Sequence, residues 1–168
     1  SIQNRQDQEA QATLSKLFQL LPHCVPADAA DIGRAWKLQA ALSRNQNRTQ
    51  QALDSILKAS VIFSESLEAS HPDRLECTRA QALLQSELGN LPEAHRLLAE
   101  LLDSETRLFG PEYRDLCITH SMIAELHLVE GKYVEAEACF REALRTGIAA
   151  LGPNHANIAA TRCNLGQT

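Results

Sequence analysis

Gly131-Lys132-Tyr133-Val134-Glu135-Ala136-Glu137-Ala138-Cys139-Phe140-Arg141-Glu142-Ala143-Leu144 decides the architecture, because its pattern returns along the chain at a fixed interval of 42 residues. Ala10, Ala52, Ala94 and Ala136 mark that interval, and Gly89 repeats Gly131 with Asn47 one period earlier. Leu14, Ile56 and Leu98 stand where Phe140 stands, and Leu42 and Leu84 where Leu126 stands. A period of this length means a stacked array of units, each contacting mainly its neighbours. Such an array builds surfaces rather than enclosed catalytic pockets, so binding is the expected class of function and an enzyme is not expected.

Within one period the signals read helix, turn, helix, loop. Leu116, Ile123, Leu126 and Leu128 carry helical rather than alternating spacing over Glu112–Glu130. Gly131 then permits the left-handed turn that ends that helix. Tyr133–Ala150 forms the second helix, with Tyr133, Ala136, Phe140, Ala143 and Leu144 on one stripe. Leu151-Gly152-Pro153-Asn154 closes the unit as Phe109-Gly110-Pro111-Glu112 closes the one before, because Gly stops a helix and Pro cannot continue it. Ser70-His71-Pro72-Asp73 offers a capping hydroxyl and a proline near the first turn of its helix. The remaining helices are expected at Gln6–Leu21, Ala29–Arg44, Arg48–Leu67, Pro72–Leu88, Leu91–Phe109 and from about His155 onward. Pro22–Asp28 is the least regular stretch. The fold class is therefore all-α, an array of antiparallel helix pairs. It reads as one domain with a half unit at 1–28, units at about 29–70, 71–112 and 113–154, and a partial unit at 155–168.

Composition agrees. Of the 168 residues 44% are hydrophobic, enough for a continuous core, while aromatics are only 4%. Small and branched aliphatic side chains suit close helix packing and argue against a β-sandwich. A net charge of −5 gives no electrostatic reason to expect a nucleic-acid partner. No apolar run approaches the roughly 18–20 residues that a membrane span needs. The five cysteines, Cys24, Cys77, Cys117, Cys139 and Cys163, are odd in number and scattered, which points to small buried hydrophobes in a reducing, cytoplasmic compartment.

These residues resemble the tetratricopeptide repeat, and more narrowly the 42-residue variant of kinesin light chains. The resemblance rests on Ala124, Gly131, Tyr133, Ala136, Phe140 and Ala143 in one unit. It continues through Ala82, Gly89, Leu91, Ala94 and Leu98 in the unit before, and Trp36, Ala40, Ala52, Ile56 and Ala59 in the first. Asn164-Leu165-Gly166 looks like the start of a further unit. His71-Pro72 and Gly152-Pro153-Asn154-His155 look like the inter-repeat signature of the kinesin light chain group, with Ala156 departing from its proline. The resemblance implies a right-handed superhelix whose shared residues are packing residues. It is strong for fold and nearly silent on ligand. Enlarging Ala94 is expected to cost on the order of 1–3 kcal/mol through overpacking.

By the same resemblance the exposed concave positions lie along the first helix of each pair. They are Arg34, Lys37, Ala41 and Arg44, then Glu76, Arg79, Leu83 and Ser86, then Ile118, Ser121, Glu125 and Leu128. The Lys and Asn positions of the chaperone-tail clamp are not matched. The expected partner is a protein or peptide segment with acidic residues at one end, meeting Arg34, Lys37, Arg44 and Arg79. An apolar anchor at the other end would meet Ile118 and Leu128, and binding would weaken with salt. A second reading makes the chain the sensory or regulatory segment of a larger signalling protein, a transcription regulator or kinase. Cys117, His120 and His127 share a helical face, but no fourth ligand or paired cysteine motif accompanies them, so neither metal nor cofactor is expected. His23-Cys24 lacks a visible orienting partner for thiolate chemistry. The chain is expected to be a piece of a longer protein, with Ile158 and Leu165 uncovered. Residues after about Ala156 would then be frayed or covered by a second copy.

Overall fold

The computed structural model describes residues 9–16, 19, 29–153 and 155–166. The chain divides into two compact units, Ser1–Leu88 and Gly89–Thr168. In the first, α1 covers 9–16, α2 Ala29–Asn45, α3 Thr49–Ser66 and α4 Pro72–Glu87. In the second lie α5 (Leu91–Phe109), α6 (Leu116–Val129), α7 (Tyr133–Leu151) and α8 (Ala156–Leu165). The fold is all-α as expected, with helices packed in adjacent pairs and no strand among the described residues. Most of the expected first helix beyond 16, the loop Pro22–Asp28 and His23-Cys24 lie outside the described residues.

The turns explain why the pattern tolerates one substitution. Gly131 sits at φ 73° and Asn47, which replaces glycine in the first unit, at φ 57°. Asn is among the few side chains that accept the left-handed region at small cost. Each turn joins two helices whose contact is set by alanine. Ala40, Ala52, Leu53, Ile56 and Leu84 form one core cluster of the first unit. Ala30, Ala59, Phe63 and Cys77 form another, flanked by Trp36 and Leu67. In the second unit Ala124, Ala136 and Phe140 are wholly buried, with Leu128, Cys139 and Leu165 packed against them.

Four local expectations are corrected. α6 begins at Leu116 rather than Glu112, because 110–115 is spent on turns. There the Tyr113 amide donates to the Gly110 carbonyl at 3.2 Å and the Leu116 amide to the Tyr113 carbonyl at 3.1 Å. Tyr113 stacks on Phe109 with ring centroids 4.3 Å apart. The cap of α4 is not the Ser70 hydroxyl but His71, whose Nδ1 accepts from the Asp73 amide at 3.1 Å. Tyr133 leaves the core stripe and is 58% exposed at the first position of α7. Ile158 is wholly buried and Leu165 half-buried rather than uncovered. The inward face of α8 rests on α7 at Gly147 and on the Ala124–Ala136–Phe140 cluster.

Candidate functional site

The expected binding residues of the first unit converge on the strip between α2 and α4. Lys37, Arg44, Glu76 and Leu83 line a groove of about 170 Å³ whose walls include Ala40 and Ala80. Alanine on both helices leaves the space that larger side chains would fill, and half-buried Leu83 supplies apolar surface.

The basic residues on this strip are not free charges. Lys37 Nζ donates to Asp73 Oδ1 at 2.8 Å and to Glu76 Oε2. Arg34 Nε donates to Asp73 Oδ2 at 3.0 Å, and its Nη1 to Asp31 at 2.8 Å. Arg44 pairs with Glu87 at 2.6 Å. Burial alone would raise the Asp73 carboxyl and lower the Lys37 ammonium, yet the ion pairs reverse both, holding Asp73 below and Lys37 above their ordinary values. The stripe that reads as cationic in sequence is thus charge-balanced by acidic side chains of α2 and α4. Sequence spacing alone cannot show this, because the pairing is between helices. Arg79 is half-buried on α4.

In the second unit the expected residues lie along α6. Ile118 and Ser121 are half-buried, and the Ser121 hydroxyl donates to the Cys117 carbonyl at 2.9 Å. Glu125 is approached by Asn164 Nδ2 at 3.5 Å, and burial raises its carboxyl. Leu128 belongs to the margin of the core.

The Cys117, His120 and His127 set does not come together as ligands. Cys117 is buried against Gly147, and His120 is lowered by burial while Glu142 opposes and Arg145 assists. Among the described residues a different triad forms, from His95 on α5 and His127 and Glu130 at the end of α6, with one ligand atom from each within 4.8 Å of the others. His95 Nε2 lies 3.0 Å and His127 Nδ1 3.6 Å from Glu130 Oε2, which Lys132 Nζ also approaches at 3.1 Å. The two imidazole centroids are 4.9 Å apart. Lys132 and then His95 hold the Glu130 carboxyl below its ordinary value. The sequence signal that finds this triad is departure from the repeat: the positions 42 residues earlier are Leu53, Gln85 and Leu88.

Residues 115–168 match the family model described as Tetratricopeptide repeat. No curated protein sequence matches the chain. Among solved structures, BtubC (BKLC) from P. vanneervenii is similar at a TM-score of 0.77 and 20% identity. That likeness covers 99% of this chain, which spans 65% of BtubC. Nearly identical TPR-like repeats of Podosopora anserina, classed there with the kinesin light chains, are similar at a TM-score of 0.78 and 19% identity, covering 98% of this chain and 78% of that one. A second structure of those repeats gives a TM-score of 0.76 at the same identity and coverage. Proteins of this repeat family are generally non-catalytic and mediate protein–protein interactions. No helix among the described residues is long and apolar enough to cross a membrane.

Proposed function

We propose that this chain, a tetratricopeptide-repeat protein, is a non-catalytic scaffold that binds a protein or peptide segment in a reducing, cytoplasmic compartment. The observation that carries the proposal is the α2–α4 groove, where an apolar floor is flanked by Lys37, Arg44 and Glu76. An apolar side chain of the partner enters beside Leu83 and supplies most of the affinity, because it is the part that is fully desolvated. Acidic residues of the partner exchange with Glu76 and Glu87 for Lys37 and Arg44. That exchange fixes orientation more than it adds strength. Within the second unit, Ile118, Ser121, Glu125 and Leu128 on α6 are the recognition residues of the same reading.

The test begins with a peptide selected from a displayed random library on the intact chain, its affinity measured by fluorescence anisotropy. Leu83→Glu weakens binding by about tenfold or more, while the double reversal Lys37→Glu and Arg79→Glu weakens it less and reduces its salt dependence. Unchanged affinity in Leu83→Glu, with helicity retained, rejects the groove as the binding site.

A further inference from the structure

Two imidazoles and a carboxylate within 4.8 Å of one another stand where the repeat one period earlier has Leu53, Gln85 and Leu88. The three side chains are 27%, 20% and 22% exposed for His95, His127 and Glu130, so they are sheltered but reachable. His127 Nδ1 is shut off from solvent without a hydrogen-bond partner, and it faces Glu130 Oε2 at 3.6 Å. A buried imidazole nitrogen in that condition calls for an explanation.

The ligand geometry supplies one. Four ligands at about 2.0–2.1 Å from a tetrahedral zinc ion lie roughly 3.3 Å from one another. The two edges that meet at Glu130 Oε2 measure 3.0 and 3.6 Å and bracket that spacing. One ligand atom from each of the three residues lies within 4.8 Å of the others, so the imidazole–imidazole edge is the one that must shorten when an ion binds. Mixed nitrogen and oxygen donors favour zinc-class ions over calcium or magnesium, which take oxygen ligands alone.

We propose that His95 Nε2, His127 Nδ1 and Glu130 Oε2 form a three-ligand site for a zinc-class divalent cation, with the fourth position left to water. The ion clamps α5 to the end of α6, and so stabilises the second unit. Lys132 is its competitor, since its ammonium occupies the same carboxylate oxygen at 3.1 Å.

The experiment uses the chelator-treated chain in a Cys24→Ser, Cys163→Ser background, which removes Cys24 and the exposed thiol of the described residues, titrated with ZnCl2 by calorimetry and with CoCl2 by visible absorption. One equivalent of zinc binds, and His95→Gln and Glu130→Gln each weaken it by about tenfold or more. His155→Gln leaves it unchanged, and Lys132→Met tightens it several-fold. A histidine–carboxylate contact that merely joined two helices would give neither the zinc loss nor the gain on removing Lys132. Circular dichroism confirms that the variants remain folded. Absence of saturable zinc binding up to about 1 mM, a cobalt–thiolate charge-transfer band, or equal affinity in His95→Gln, Glu130→Gln and the parent overturns the proposal.

Discussion

Thr119 Oγ1 donates a 2.7 Å hydrogen bond to Glu105 Oε2, and both residues are wholly buried. The preceding repeat has Phe63 and Cys77 at the same two register positions, packed in one apolar cluster. A polar pair has therefore replaced an apolar one at a buried contact between successive helices. Polar groups in such a place must satisfy each other, because water cannot. Thr119→Val removes a donor from a buried acceptor while keeping the shape, and is expected to destabilise the chain by about 1–3 kcal/mol. Glu105→Leu made together with Thr119→Val costs less than the two single changes summed, since the double variant leaves neither partner stranded. Chemical denaturation of the four proteins checks both statements.

Asp73 gives the stability a pH dependence. Burial raises its carboxyl, but the hydrogen bonds from Lys37 and then Arg34 outweigh that and leave the folded value depressed. A carboxylate whose pKa is lower folded than unfolded stabilises above its unfolded value, about 3.9, and that stabilisation is lost as pH falls through the folded value. Thermal melts of the parent should therefore drop between about pH 5 and 2. Asp73→Asn should melt lower near neutrality and show a shallower acid slope. Equal slopes in the two proteins would place the acid sensitivity elsewhere.

Helical glycines set the closest approaches. A Cβ at Gly33 would lie 2.4 Å from Phe63 Cε1, and one at Gly147 would lie 2.5 Å from Ile158 Cδ1 and 3.1 Å from Cys117 Cβ. Gly33→Ala meets the face of a wholly buried ring and is expected to cost about 1–3 kcal/mol or more by overpacking, against the usual gain of alanine over glycine in a helix. Gly147→Ala presses on Ile158 and should loosen α8, the element that rests on it. Faster amide exchange in α8 than in α7 of that variant is the measurement.

How much of this was legible depends on whether a residue acts within the repeat or against it. Ala52, Ala94 and Ala136 are invariant in kind along the period and wholly buried, so periodicity alone placed them. Asn47 was legible too, because the turn demands a left-handed backbone and few residues supply one. Pairings across helices were not. Lys37 looks like a free cation until Asp73 and Glu76 are seen beside it. Glu105 falls where a helix reads as amphipathic and polar, and only folding brings Thr119 to it. His95 is 32 positions from His127 in sequence, beyond any spacing rule for helical ligands. The register comparison exposes it only once the helices are known to stack.

Thiol reactivity separates burial from mere scarcity of cysteine partners. Cys77 is buried beside the Lys37–Asp73–Glu76 network, and burial pushes its thiol up to about 12, with the Lys37 charge opposing and Glu76 and Asp73 assisting. Cys117 is also buried, Cys139 is half-buried with its thiol raised by burial, and Cys163 on α8 is exposed. Only the thiolate reacts, and it reacts only where the reagent can reach it. Among the four described cysteines of the native chain a maleimide should therefore modify Cys163 first and Cys139 more slowly, and leave Cys77 and Cys117 unmodified until the fold opens. Peptide mapping after timed labelling reads the order directly. Labelling of Cys77 as fast as Cys163 under native conditions would mean that the first unit opens far more readily than its packing at Ala59 and Phe63 allows.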